Sequence, residues 1–295
     1  MPGRTSPTLL RRQLGALLRQ YREARNETAS DVAKATNINA SVISRLENGG
    51  RRPGLIYVRE LSRHYGLDQD TTDQLMRVAR ASHQNGWWEA YDVNEDPSTY
   101  VEFEAGAAAI KNFELAYVPG LLQTRDYARS VIVDLNPSFT EDKVDQAVSL
   151  RIERQHILDS ADPVRLHAII DESVVRRNIG GAAVMKAQLN LLVERATLPN
   201  VTLQVLPFST PRGFGLFGSF SLLSFADAAS TALLSFDGSA ADVAYAEGPL
   251  GAIVQPKVRE VQRCKDLFSG LTAIAASESK SITIIQRVLS EVQFQ

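Results

Sequence analysis

NETASDVAKATNINASVISRLENGGRRP, residues 26–53, carries two short helical runs on either side of a tight turn. Thr28 with Asp31 three positions on makes a capping pair, the hydroxyl accepting from first-turn N–H groups and the acid sitting at the positive end of the helix. Val32 and Ala33 point inward, and Ala33 is small enough for the next helix to cross closely. Asn37 supplies the turn, because asparagine enters the left-handed backbone region at lower cost than most residues. Asn39 caps the second helix, Ala40 to Glu47, which turns Ile43 and Leu46 inward and Ala40, Ser41, Val42, Ser44 and Arg45 outward. Gly49 and Gly50 end it, and Arg51-Arg52-Pro53 follow. Small outward residues, one arginine and a basic knot behind them form the layout of a helix that enters a DNA groove.

The flanking segments complete a small helical domain. Residues 1–8 carry two prolines and small polar residues and are expected to be a flexible arm. From Leu9 to Arg25, the set Leu10, Leu14, Leu17, Leu18 and Tyr21 recurs at spacings of three and four and marks one helical face. Arg11, Arg12, Arg19, Arg22 and Arg25 lie largely elsewhere on the wheel, as a solvated face or as phosphate contacts. Pro53 and Gly54 open a fourth helix through Tyr65 with Val58 and Leu61 inward, and Gly66 stops it. Asp70 is expected to cap a fifth, Thr71 to Arg80, with Leu75, Met76 and Ala79 as its apolar stripe. His64 has no second ligand at metal spacing and reads as a surface or half-buried residue.

Ser44-Arg45-Leu46-Glu47-Asn48-Gly49, with Arg-Arg-Pro behind it and Thr28-x-x-x-Val32-Ala33 in front, resembles the xenobiotic-response-element (XRE) family of helix-turn-helix transcriptional regulators. The resemblance implies a five-helix, lambda-repressor-like head. It also implies that Ser44 and Arg45 sit on the recognition helix, that Glu47 braces the fold, and that Asn48 to Arg52 meet the DNA backbone. The expected DNA-binding set is Thr28, Asn39, Ala40, Ser41, Val42, Ser44, Arg45, Asn48, Arg51 and Arg52. Two departures weaken base reading. Ala29 and Ala40 stand where many relatives carry glutamine or another long polar residue. Few groups then remain for bidentate base contacts, and thymine methyls, Arg45 and DNA shape carry more of the specificity.

At 295 residues the chain fits one small and one mid-sized domain. Expected boundaries are an arm at 1–8, a DNA-binding domain at 9–82, a linker at 83–88 and a mixed α/β regulatory domain at 89–295. Residues 1–82 hold 14 Lys+Arg against 8 Asp+Glu, and the remainder 18 against 26, so a basic head joins an acidic body and only the head suits a polyanion. One cysteine, Cys264, forms no internal disulfide and offers no metal cluster, which fits a reducing cytoplasm. Neither a signal peptide nor a membrane span is indicated. Trp87-Trp88, just after the linker, are expected to dock one domain on the next.

Within the body, Tyr117-Val118-Pro119-Gly120-Leu121-Leu122-Gln123-Thr124 followed by Asp126-Tyr127-Ala128-Arg129 resembles the C-terminal domain, catalogued as of unknown function, of actinobacterial regulators of the same type. The likeness continues through Arg151 to Gln155, Asp171-Glu172-Ser173, Gly180-Gly181 and Val205-Leu206-Pro207-Phe208. Kinship of this kind implies a small protein encoded by a neighbouring gene. Read physically, residues 99–114 repeat apolar residues at helical spacing, and Arg125 to Val133 and Val144 to Leu158 are further helices. Arg165 to Asp171, Ala182 to Arg195 and Val201 to Leu206 form a parallel strand-helix-strand crossover. Ser219 to Phe225, Ala232 to Phe236 and Val243 to Glu247 are strands of an antiparallel meander. Helices at Lys257 to Ala276 and Ser279 to Glu291 close the chain.

Asp171 and Glu172 at a strand end, with Arg176 and Arg177 one turn on, mark a candidate ligand or partner site, and Glu247 ends a later strand that could bring it to them, a convergence no residue pattern decides. The ordinary alternative is a capped strand-to-helix junction with compensating ion pairs. Gly180-Gly181 lacks the Walker pattern, and Gly213-Phe214-Gly215-Leu216-Phe217-Gly218 precedes a strand-like run and so fails as a nucleotide fingerprint. No cofactor, metal or catalytic residue is expected, and His167 reads as a satisfied core or edge residue. The expected function is a sequence-specific, homodimeric regulator on double-stranded DNA whose body senses a ligand or protein partner. An antitoxin-like autoregulator neutralising its small neighbour is the alternative, and an enzyme in the body the third.

Overall fold

A computed structural model describes residues 7–50, 52–83, 97–210, 218–225, 242–248, 251–255 and 257–291. Residues 1–6 of the expected arm at 1–8, Arg51, Trp87-Trp88, residues 213–217 of the glycine-phenylalanine run and the run Ala232 to Phe236 lie outside them. The chain divides into two compact units, the first holding the described residues up to 83 with Val101–Gly106, the second holding the rest.

Five helices make the first unit: α1 Pro7–Ala24, α2 Ala29–Thr36, α3 Ala40–Glu47, α4 Leu55–His64 and α5 Gln69–Ala81. Thr28 and Asp31 form a full capping box, Asp31 Oδ2 accepting from Thr28 N at 3.0 Å and Thr28 Oγ1 accepting from Asp31 N at 3.2 Å. The Thr28 hydroxyl also donates to Asp31 Oδ2 at 2.6 Å, and this bond, with the one from Thr28 N, holds the Asp31 carboxyl below its ordinary range. Asn37 is left-handed (φ 56°), and Asn39 Oδ1 accepts from Ser41 N at 2.9 Å, so turn and second cap form as the sequence implies. The cap of α5 is Asp68, not Asp70: Thr71 N donates to Asp68 Oδ1 at 2.7 Å, and Asp70 falls in the first turn. Helix α1 begins at Pro7, two residues before the expected start, where proline loses no helical hydrogen bond.

Leu14, Leu17, Leu18, Val32, Ile43, Leu46, Val58, Leu61, Leu75 and Ala79 build one core through all five helices. Each such leucine contributes roughly 1.5–3 kcal/mol by burial. Gly15 sets the closest approach: a Cβ there would stand 2.3 Å from the Leu46 carbonyl oxygen and 2.6 Å from that of Glu47. The C-terminus of α3 therefore rests on the backbone of α1. Past it, Gly49 N donates to Leu46 O and Gly50 N to Arg45 O, both at 3.0 Å, with Gly49 left-handed at φ 66°. This paired closure satisfies the last carbonyls of α3 and aims the chain toward Arg52.

The second unit contains one mixed sheet. Its strands are β1 Ala109–Glu114, β2 Arg165–Asp171, β3 Val201–Leu206, β4 Phe220–Ser224, β5 Val243–Gly248 and β6 Gly251–Gln255. Their order is β3-β2-β1-β4-β5-β6, with β1, β2 and β3 mutually parallel and β4, β5 and β6 antiparallel to their neighbours. Helix α6 Pro97–Gly106 gives its Val101–Gly106 to the first unit, and the helices of the second are α7 Arg125–Leu135, α8 Glu141–Arg154, α9 Glu172–Arg176, α10 Ala182–Arg195, α11 Val258–Ile274 and α12 Glu278–Glu291. The crossover from β2 through α10 to β3 is parallel as expected, and α11 packs on β3, β4 and β5.

Residues 99–114 are not one helix. Helix α6 stops at Gly106, and Ala109–Glu114 is a central strand. Ile110 and Phe113, three apart, are both buried because the strand is covered on both faces, so a strand imitates helical spacing. Residues Gln155–Leu158 leave α8 as a 3-10 turn, and β6 was not expected.

Candidate nucleic-acid interface

Helix α3 divides into two faces. Ile43, Leu46 and Glu47 are buried, whereas Ser41, Ser44, Arg45 and Asn48 are exposed. Ala40 and Val42 are half-buried, and Val42 packs against the core, so it is less outward than its wheel position implies. Thr28, Asn39 and Arg52 are exposed beside this face. The Arg45 side chain lies back along its own helix, Nε donating to Ser41 O at 3.1 Å, on a flexible stem that needs only a rotamer change to extend.

The one acid of α3 is turned inward. Arg22 donates Nε to Glu47 Oε1 at 2.7 Å and Nη2 to Glu47 Oε2 at 2.9 Å, while its Nη1 donates to the Glu27 carbonyl at 2.7 Å. Glu47 braces the fold as its family position implies, and Arg22 is a structural residue instead of a phosphate contact or a solvated cation. The other arginines of α1 also have protein partners: Arg19 pairs with Glu23, Arg25 with Glu27 and Arg11 with Glu102, and Arg12 stands over the Phe103 ring at 5.0 Å. His64 is half-buried and meets Glu27 Oε2 at 3.0 Å. What α3 offers to a duplex is thus small, hydroxylic and cationic at Arg45, with no carboxylate to repel phosphate.

In the second unit, Asp171, Glu172 and Arg176 are used by the fold itself. Asp171 Oδ1 accepts from Ser173 N at 2.9 Å and caps α9. Glu172 accepts from Arg176 Nε at 2.7 Å and from Phe208 N at 3.0 Å, and Arg176 reaches Glu291 at 2.9 Å. This is the capped junction with ion pairs. Glu247 does not join it, because β5 stands three strands from β2, about 14 Å at normal strand spacing. Tyr245 donates its hydroxyl to Glu247 at 3.0 Å instead. His167 meets Gln204 Oε1 at 2.7 Å and the edge of Phe268, a satisfied core position whose burial lowers its pKa.

The Pro-Gly-Leu-Leu-Gln-Thr segment is a buried hydrogen-bonded knot. Gln123 donates to Val118 O at 2.7 Å and accepts from Arg151 at 3.0 Å. Gln155 donates to the Gly120 and Gln123 carbonyls, at 3.1 and 2.7 Å. Gln188, fully buried, accepts from Thr124 N and donates to Leu122 O, at 2.7 and 2.6 Å. Gly120 lets Arg151 and Arg154 approach its backbone. The motif therefore fixes α7, α8 and α10 together, which explains its residues without chemistry. Among the described residues no group of three or more His, Cys, Asp or Glu is placed to hold a metal, and no helix is long and apolar enough to cross a membrane.

A five-helix head presenting the second helix of a helix-turn-helix pair by its uncharged and cationic side chains defines a DNA-binding transcriptional regulator. Residues 13–75 match the family model of a helix-turn-helix domain. Residues 97–287 match that of a domain of unknown function, DUF5753, and the chain belongs to this family. No curated protein and no solved structure matches it.

Proposed function

We propose that the chain is a sequence-specific regulator that binds double-stranded DNA as a homodimer, and that its second unit is a non-catalytic sensing module that sets the pairing. The observation behind this is the exposed face of α3, where Arg45 is the long cationic side chain able to fork onto a base edge. A good bidentate contact is worth roughly 1–3 kcal/mol of discrimination, so one head selects weakly. Two heads at half-sites about 34 to 36 Å apart combine their preferences, and something outside the head must hold that spacing. The body does so, and a ligand that favours one arrangement of the pair shifts DNA affinity by its differential binding.

Occupancy of sheared genomic DNA by the full chain and by residues 1–83 tests this. The full chain is expected to give discrete peaks with paired half-sites, and the head alone diffuse, salt-sensitive binding. Equal selectivity of the two would overturn the role given to the body.

A further inference from the structure

The sheet of the second unit reverses direction at β1. The chain steps from β1 to β2 and β3 on one side and then returns to place β4, β5 and β6 on the other. In open α/β sheets, ligands bind beyond the carboxyl ends of strands at such a switch point. Glu114 ends β1 there. The registers Phe113↔Phe220 and Ser221↔Tyr245 bring Ser219 between Glu114 and Glu247, so the two carboxylates lie about 10 Å apart along one face.

One step deeper on that face are Asn112, Ser221 and Tyr245. Asn112 Nδ2 donates to Glu114 Oε1 and to Ser221 Oγ, each at 3.0 Å. Asn112 is only 5 % exposed, yet its Oδ1 has no partner among the described residues. An orphaned buried acceptor is costly, and a donor reaching it removes that cost. The Tyr100 ring packs tilted against Tyr245 at 4.4 Å, carries the Arg154 guanidinium 5.3 Å from its centroid, and holds its hydroxyl 3.4 Å from Ser221 Oγ. Burial pushes the Glu114 carboxyl above its ordinary range and Glu247 adds to this, while hydrogen bonds from Asn112 and Ser219 and the charge of Arg151 act the other way. The row runs from buried Asn112 to exposed Glu247 and so has an open end.

Two carboxylates and an unpaired carbonyl oxygen accept N–H bonds and suit a cation. We propose that this row binds an organic cation with N–H donors, one ammonium or guanidinium group directed at Glu114 and Asn112 Oδ1 and a second, about 10 Å along the row, at Glu247. Its carbon chain runs along the row toward the exposed end at Glu247. A divalent metal fits less well, since it takes six or more oxygens with several carboxylates. The proposal rests on the body being a sensing module, and deepens it by naming the site and the ligand class.

Calorimetric titration of the full chain with n-butylammonium, 1,4-diaminobutane, tetramethylammonium and calcium, at matched ionic strength, tests it. Saturable binding is expected for the two amines and none for tetramethylammonium or calcium. Glu114→Gln is expected to weaken both amines by about tenfold, and Glu247→Gln, at an exposed position, to weaken 1,4-diaminobutane by about tenfold, each through loss of a charge-assisted bond. No saturable amine binding, equal binding of tetramethylammonium, competition by calcium, or unchanged affinity in both variants would each overturn the site. Repeating DNA binding with saturating amine separates the two ideas. Amine bound at these residues with DNA affinity unchanged leaves the site standing and removes the sensing role; no amine bound removes the site alone.

Discussion

Gly15→Ala unfolds the head more easily, although alanine is the better helix former. Propensity alone favours alanine by about 1 kcal/mol in the middle of α1. The added methyl would stand 2.3 Å from the Leu46 carbonyl oxygen and within 2.8 Å of two Glu47 backbone atoms. All three are backbone atoms held by the end of α3, so relief requires the helix to move. Overpacking of this kind costs about 1–3 kcal/mol or more, and it outweighs the propensity gain. The expected result, read by urea unfolding of the full chain followed by helical circular dichroism, is a net loss of about 2 kcal/mol in the head transition. DNA affinity falls with it, because α3 is the element displaced. Ala16→Gly, one residue on and exposed, is the control: it loses about 1 kcal/mol from propensity alone and leaves DNA binding intact. A Gly15→Ala protein as stable as its parent would show that α1 and α3 are not in this contact.

Glu47→Ala carries the second large effect. Its side chain is 6 % exposed and that of Arg22 12 %, and they share two parallel hydrogen bonds. Removing one partner leaves the other charge buried without compensation, at about 3–5 kcal/mol. Replacing both at once, Arg22→Met with Glu47→Leu, removes the stranded charge and is expected to recover most of the loss. The same denaturation experiment reads both proteins. A cost below about 1 kcal/mol for Glu47→Ala would place the pair in the weak class of solvent-exposed bridges. The Glu27 carbonyl, which accepts from the same guanidinium, links this pair to the start of α2. Its loss is therefore expected to loosen both helices of the DNA-binding pair.

Much of the head was legible because its signals are local. Thr28 with Asp31, Asn37 and Asn39 each act within three residues, and the structure has all of them in the expected roles. Asp70 was misplaced by two residues since either aspartate can cap, and only the start of the helix decides between them. Gly15 and Arg22 were illegible for the same reason as each other: both act on α3, and nothing near them in sequence says which helix they will meet.

The body shows the same division. The parallel crossover could be read from run lengths, and β1 could not, because burial on both faces made Ile110 and Phe113 look helical. The row through Glu114, Ser219 and Glu247 joins strands more than a hundred residues apart in sequence, and the parity that aligns them exists only once the register is set. Asp171 and Glu172 stood out in the sequence for their clustering. That clustering serves a cap and ion pairs.

The central claim is that the exposed face of α3 reads DNA, and it is tested most directly by one titration. Full chain, Arg45→Ala and Arg52→Ala are compared by fluorescence anisotropy on a duplex recovered from genomic occupancy and on its scrambled counterpart, across a range of salt. Arg45→Ala is expected to collapse the ratio between the two duplexes by about 1–3 kcal/mol per half-site. Arg52→Ala is expected to keep the ratio, weaken both duplexes alike and lower the salt slope by about one per head. Parent-like binding by both variants on both duplexes would contradict the assignment of α3 as the reading helix.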